Sequence, residues 1–273
     1  MPGRAPWTPV GGSDRVGQDL NPHKPNTGDP NIMASRDDIK QRIHRGDVLI
    51  GVSAPVTASK SQLEDILGKD DYAFVSTDSQ HSAFNEETLV RFCSYADELD
   101  TPVQFRIKHT YHSYLIGNVL DLGPAGIEVP QVEEAATVDE ALKYFYYPQQ
   151  GKRSWGGVAR WKIDGNDDRL AYADWWNTHG WLCLQMESIQ AVSNARHLAK
   201  PGVDCLTWGP NDLRYDIEAH PQHPFRTVDD CVQHALKQLE GSTTRISFRS
   251  YDPALRNKYL DMGVTILMES PRP

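Results

Sequence analysis

Two acidic residues stand at the ends of apolar runs: Glu187 in LCLQMES and Asp212 in LTWGPNDL. Burying an unpaired carboxylate costs several kcal/mol or shifts its pKa far upward, so Glu187 calls for a cation. Gln185 lies two residues earlier on the same run, and in an extended strand the two side chains point to one side. Two carboxylates brought to one place repel each other, and a divalent ion removes the repulsion. Ligands made only of oxygen favour Mg²⁺, or Mn²⁺, over Zn²⁺, and two protein ligands leave octahedral positions for water and substrate. Asp212 has a plainer reading that stays open here. An Asp where a strand passes into a helix is commonly an N-cap, and Gly209-Pro210 is a normal strand ending.

Polar residues gather at the ends of other runs too. Asp78 and His81 lie in STDSQH, Arg106 and His109 in FRIKH, and Glu128 and Gln131 around Val129-Pro130, while Glu269 follows the last run. Histidine moves protons near neutral pH, and arginine stabilises negative charge that develops in a reaction. Each also has a structural reading. His81 fits a loop or a core, Arg106 an ion pair, and Trp155, Trp175, Trp176 and Trp181 fit packing. Glu269 fits simple exposure at a frayed chain end.

The elements that must position these groups alternate along the chain. Strand-like runs occur at 48–54, 72–78, 102–107, 126–132, 182–188, 203–209, 244–250 and 264–270. Amphipathic segments separate most of them, among them SQLEDILG, EETLVRFCSYADEL, YLIGNVLDLG, TVDEALKYFYY and SIQAVSNARHLA. Short apolar runs alternating with helical patterns predict βαβ units and a parallel sheet, and eight such runs predict a closed α/β barrel, (β/α)8, with its chemistry at the C-terminal strand ends. Inserts at about 148–181 and 214–226 break the rhythm, and SPRP follows the eighth run with no further helix. Residues 1–33, rich in Pro, Gly, Asn and Asp, read as a disordered arm, and 34–273 as the barrel domain. Ser35 reads as the cap of a helix that Gly46 ends.

With 273 residues the chain is long enough for one such barrel. Its formal charge of −9 and lack of a basic cluster speak against nucleic acid and anionic membrane as partners. No run approaches the roughly 20 apolar residues of a membrane span. The four cysteines form no CxxC pair and read as reduced, mostly core thiols of a cytoplasmic protein.

Taken in order, FVSTDSQHSAFN, FRI, LDLGPAGIEVPQVEEAATVDEALKYFYYPQQGKRSWGG, LQMES and GVDCLTWGPNDL make the chain resemble the HpcH/HpaI family of class II pyruvate aldolases, over about residues 47–270. The resemblance implies a TIM barrel of the phosphoenolpyruvate/pyruvate-binding type holding one divalent metal, Mg²⁺ by preference. It puts the metal on Glu187 and Asp212, with Gln185 beside it. It makes His81 the catalytic histidine, accompanied by Asp78, and sets Arg106 at the keto or enolate oxygen of a small 2-oxo acid. It rests the substrate carboxylate on Gly209-Pro210. Trp208, Trp155, His109 and His112 are then candidates for the wall around the second reactant.

The implied reaction is metal-dependent carbon–carbon lysis through a metal-bound pyruvate enolate, by oxaloacetate decarboxylation, aldol cleavage or aldol addition. SWGG, DWWNTHGW and TWGPND tilt the likeness toward a fungal member that decarboxylates oxaloacetate and adds the enolate to a 2-pyrone. A 4-hydroxy-2-oxo acid aldolase and an inactive barrel serving as a binding protein are the alternatives. Family members assemble as hexamers that exchange a helix after the eighth strand, a helix without counterpart here; a homo-oligomer is the expectation. Glu269, where the family has small residues, and KHTYHSY are further departures.

Overall fold

The computed structural model describes residues 38–165 and 168–273. The expected arm over 1–33 and the Ser35 cap lie outside the described residues. Among the described residues helix α1 (Ile39–Arg45) comes first, and it ends at Gly46, which takes the left-handed φ of 81° that glycine adopts without steric cost. Eight strands follow: β1 (Leu49–Ser53), β2 (Phe74–Asp78), β3 (Val103–Arg106), β4 (Gly126–Val129), β5 (Trp181–Met186), β6 (Cys205–Trp208), β7 (Arg245–Tyr251) and β8 (Ile266–Glu269). They close in sequence order into one parallel barrel, β8 pairing back onto β1. The predicted fold class is the observed one.

Between the strands run α2 (Lys60–Leu67), α3 (Glu86–Glu98), α4 (Ile116–Leu120), α5 (Ala135–Phe145), α6 (Arg169–His179), α7 (Ile189–Ser193), α8 (Ala195–Leu198), α9 (Pro210–Ala219), α10 (Val228–Gln238) and α11 (Arg256–Met262). Local chemistry sets several starts. Ser59 and Gln62 form a reciprocal capping box at α2, and Asn85 caps α3. Two helices expected as single pieces are broken. YLIGNVLDLG begins inside a 3₁₀ turn, Thr110–Leu115, whose Thr, Tyr, His and Ser are poor helix formers, and only its middle, α4, is α-helical. SIQAVSNARHLA divides into α7 and α8 at Asn194, a residue whose side chain competes with the helical backbone. Conversely, the expected insert at 148–181 contains α6, capped by Asp168, and α9 runs into the expected insert at 214–226.

Side chains alternate along each strand, so one set fills the barrel and the other meets the helices. At the N-terminal end of the barrel the rings of Phe74 and Trp181 meet edge to face at 6.0 Å. Gly51 and Gly126 make this possible, because a Cβ at either would strike one of those rings. Above them lies a polar layer. Arg249 grips Glu128 through two hydrogen bonds of 3.0 and 2.7 Å, and Gln104 donates a third at 2.8 Å. Trp181 closes the layer by donating to Gln104 at 2.9 Å. All four cysteines are buried and free.

The aromatic insert packs at the N-terminal end of the strands. Trp161 meets Trp181, the first residue of β5, and accepts from the Tyr172 hydroxyl through its carbonyl. Arg153 stacks on Tyr147 and Trp176 and pairs with Asp121 at 2.9 Å. Trp155 stacks on Arg160 and touches Tyr147 and Tyr172. Its surroundings therefore belong to the end of the barrel opposite Glu187. The expectation that Trp155 lines the substrate pocket is corrected by this placement. Trp175, Trp176 and Trp181 are packing residues, as their structural reading had it.

Glu269 also needs correction. It is fully buried on the outer side of β8 rather than exposed, held by two 2.7 Å bonds from Arg256, which reaches Asp70 as well. Among the described residues no helix is long and apolar enough to cross a membrane.

Candidate active site

At the C-terminal mouth, β2, β3, β5 and β6 bring one cluster together. Arg106, the last residue of β3, donates to Asp78 on β2 at 2.7 Å and to Gln185 on β5 at 3.1 Å. Glu187 continues the inward set of β5 two residues beyond Gln185. It is 8 % exposed, and both its carboxylate oxygens are buried with no hydrogen-bond partner. Burial first and the neighbouring Asp212 second push its pKa up to about 8; the nearby Arg106 only partly offsets them, and Glu128 below adds to them. Asp212 itself is solvent-exposed in the first turn of α9. The two carboxylates predicted as a pair are thus brought together, and Asp212 makes no side-chain capping bond at its helix.

Gly209 explains how α9 comes so close. A Cβ there would lie 2.5 Å from Glu187 Oε1 and 2.7 Å from Gln185 Nε2. The Gly is required by close approach, and Pro210 takes the N1 position, where its missing N–H costs nothing. The Gly209→Ala variant should fold yet lose about 10²-fold in kcat/KM, because an ångström-scale displacement of the two side chains disturbs the reacting geometry. Steady-state kinetics alongside a melting curve check this; wild-type activity would show that the crowding is harmless.

The site fits a hard divalent cation on the evidence of its own atoms. A buried carboxylate whose two oxygens lack partners, beside a second carboxylate, is a half-built oxygen shell. Among the described residues no group of three or more His, Cys, Asp or Glu side chains is gathered for a metal, so water and substrate would supply the rest. That is the usual arrangement for Mg²⁺.

Three expectations shift. The Asp78 carboxylate accepts from the backbone N–H of Gln80 (2.9 Å) and of His81 (3.2 Å), and its strong side-chain partner is Arg106. Burial alone would raise its pKa, but Arg106 and those amides hold it below the usual carboxylate value. Asp78 therefore orients Arg106, not the His81 imidazole, which stands exposed at the rim. Trp208 is fully buried and lies between the inward-facing Thr207 and Gly209, so its ring points into the helix layer and does not wall the mouth. His109 uses its ring to cap the 3₁₀ turn, accepting from Tyr111 N–H at 3.1 Å. Arg249, unnoticed from sequence, was signalled by the period-two polar pattern Ser247, Arg249, Tyr251 in the seventh run.

The model of the HpcH/HpaI aldolase/citrate lyase family matches residues 67–246. A hydroxypyruvate/pyruvate aldolase of Cupriavidus necator is 29 % identical over 160 residues, 56 % of this chain and 57 % of that protein, so the chain spans little more than half of that relative's length. A 2-keto-3-deoxy-L-rhamnonate aldolase of Klebsiella pneumoniae is 23 % identical over 240 residues, 84 % of each chain. Among solved structures, macrophomate synthase shares the fold with a TM-score of 0.69 at 21 % identity, over 86 % of this chain and 83 % of that one. The family match begins at the end of α2, runs through every strand that carries the cluster, and stops inside β7: the chain belongs to the HpcH/HpaI aldolase/citrate lyase family.

Proposed function

We propose that the protein is a divalent-metal-dependent carbon–carbon lyase that makes or uses the enolate of pyruvate. The observation that carries this reading is Glu187, a buried carboxylate with two unpartnered oxygens facing Asp212 and Arg106. An inert scaffold has no use for such a residue, since an apolar side chain in its place would stabilise the fold.

Glu187 and Asp212 would hold Mg²⁺ or Mn²⁺, which as a Lewis acid would draw electrons toward the oxygens of a bound 2-oxo acid. Arg106 places a second positive charge at the keto oxygen, and its two anchors keep the guanidinium still while the charge there grows. The first-turn N–H groups of α9, which have no intrahelical acceptors, suit the substrate carboxylate. When the bond beyond C3 breaks, its electron pair stays on C3 and the enolate of pyruvate results. The leaving fragment is carbon dioxide from oxaloacetate or an aldehyde from a 4-hydroxy-2-oxo acid. His81, exposed at the rim, would take or return a proton through water. The aldolase names of the relatives favour the aldol reaction as the physiological one.

Purified protein with oxaloacetate and Mg²⁺ should release pyruvate faster than the spontaneous reaction, and a chelator should return the rate to background. A 4-hydroxy-2-oxo acid should give pyruvate and aldehyde in equal amounts. Absence of metal-dependent pyruvate from both substrates would remove the lyase reading.

A further inference from the structure

One face of α9 continues outward from the two carboxylates of the site. Asp212, Asp216 and His220 recur every fourth residue, so their side chains share that face, each step about 6 Å along the axis. Asp216 ties the face to the segment after β5, accepting the Ile189 backbone N–H at 2.6 Å. There Glu133, Ser188, Asp216, His220 and His223 line a cavity of about 280 Å³. Glu133 follows β4 and Ser188 directly follows Glu187, so the cavity lies at the same end of the barrel as the candidate active site.

The two imidazoles are set by the backbone around them. His223 N–H donates to the His220 carbonyl at 2.9 Å, and the Arg226 guanidinium donates to the Pro221 carbonyl, so one tight turn carries both rings. Pro221 and Pro224 stiffen it. His220 Nδ1 lies 2.8 Å from the Asp216 carbonyl oxygen and 3.1 Å from its carboxylate. Those oxygens only accept, so in the neutral ring Nδ1 carries the proton and Nε2 keeps a lone pair. His223 is the opposite case. Its Nδ1 accepts from the Phe225 N–H at 3.2 Å, so in the neutral ring the proton is on Nε2. One cavity thus has an acceptor and a donor, on the ring nitrogens left over once the backbone contacts are made. A hydroxyl group both gives and takes a hydrogen bond and matches the pair; an anion can only accept. Ser188 adds a second donor, since its oxygen accepts the Ala191 N–H at 3.1 Å and its hydrogen is left to give. The carboxylates of Glu133 and Asp216 repel a phosphate or carboxylate brought into the same space.

We propose that this cavity binds the hydroxylated tail of the second reactant, the molecule that meets the enolate in addition or leaves it in cleavage, with His220 and His223 selecting the tail. No bond is made or broken in the cavity. It holds the far end of the molecule while the near end reacts at the site that Asp212 shares with Glu187. The inference rests on the lyase reading given above. It adds that the second reactant is an uncharged hydroxyaldehyde.

The test gives the full chain, with Mg²⁺ and pyruvate, three aldehydes: glyceraldehyde, propionaldehyde, which has the same three carbons and no hydroxyl beside its carbonyl, and glyceraldehyde 3-phosphate. The wild type should prefer glyceraldehyde to propionaldehyde by at least about tenfold in kcat/KM. His220→Phe and His223→Phe, which keep a ring and lose its nitrogens, should each cut that preference at least about fivefold. His220→Gln, whose amide can put a polar atom near the place of Nε2, should keep more of the preference than His220→Phe. Melting curves show that the variants compared are folded. A preference unchanged in both Phe variants overturns the inference and leaves the lyase reading standing. So does a wild-type protein that favours glyceraldehyde 3-phosphate over glyceraldehyde, or one that decarboxylates oxaloacetate but adds pyruvate to no aldehyde. A loss in His220→Gln equal to that in His220→Phe overturns the role given to the His220 nitrogen. A wild-type protein with neither addition nor decarboxylation overturns both readings.

Discussion

Glu187→Gln should lose activity by about a thousandfold or more while becoming a more stable protein in metal-free buffer above neutral pH. The first half follows from removing one of two anionic ligands: a neutral amide oxygen holds a divalent ion poorly, and without the ion the substrate's oxygens are not polarised. The second half follows from linkage. In the unfolded chain Glu187 ionises near 4.5, whereas burial and Asp212 raise the folded value to about 8. Folding therefore takes up a proton between those two values. The stability tied to the protonated form is complete below the unfolded value and drains away as pH rises through the folded one, a loss on the order of a few kcal/mol. Glutamine has no proton to lose, so the variant should show a flatter melting temperature from pH 5 to 8.5 than the wild type. Mg²⁺ competes with that proton. It should raise the melting temperature of the wild type more at pH 8 than at pH 5.5, and leave Glu187→Gln unmoved at both. A variant that keeps the wild-type pH slope and the wild-type response to Mg²⁺ would show that Glu187 is neither the strained carboxylate nor a ligand.

Much of this site is legible in the sequence because strands have period two. Gln185 and Glu187 had to share a face, and Glu187 and Asp212 both closed apolar runs, so a shared cationic need could be argued from charge alone. The eight runs and the barrel followed from the same periodicity. What failed was the reading of long-range neighbours. Trp208 adjoins the site in sequence, yet alternation turns it outward, and applying that rule to Thr207, Trp208 and Gly209 would have shown it. Trp155 belongs to an insert whose destination no local pattern encodes; only contacts such as Trp161 on Trp181 place it at the far end. Asp78 and His81 are close in sequence, which suggested a dyad, but the carboxylate is claimed by an arginine 28 residues away, across a strand pairing. Glu269 was misread for the same reason: its partner Arg256 precedes it by 13 residues on α11.

Arg106→Lys should lower kcat by about 10²-fold while leaving intact the response to Mg²⁺ that Glu187→Gln is expected to lose. Both side chains are cationic, so the difference lies in geometry. The guanidinium is a planar fork with five donors, and here Nε is spent on Asp78 and Nη1 on Gln185, which leaves donors free for substrate. An ammonium has three hydrogens on one atom at the end of a flexible stem. It cannot span Asp78 and Gln185 and still meet an oxygen at the position the fork reaches. Arg106 is buried, so a lysine that swings away also leaves Asp78 short of its main partner. Asp78→Asn should therefore fall in the same direction by a smaller factor, since it loosens the fork without removing it. The melting shift with Mg²⁺ separates the two roles, because Glu187 and Asp212 remain in place in both variants. If Arg106→Lys instead abolished the Mg²⁺ response, the arginine would be holding the carboxylates in position, and the charge on the keto oxygen would have to be met by another group.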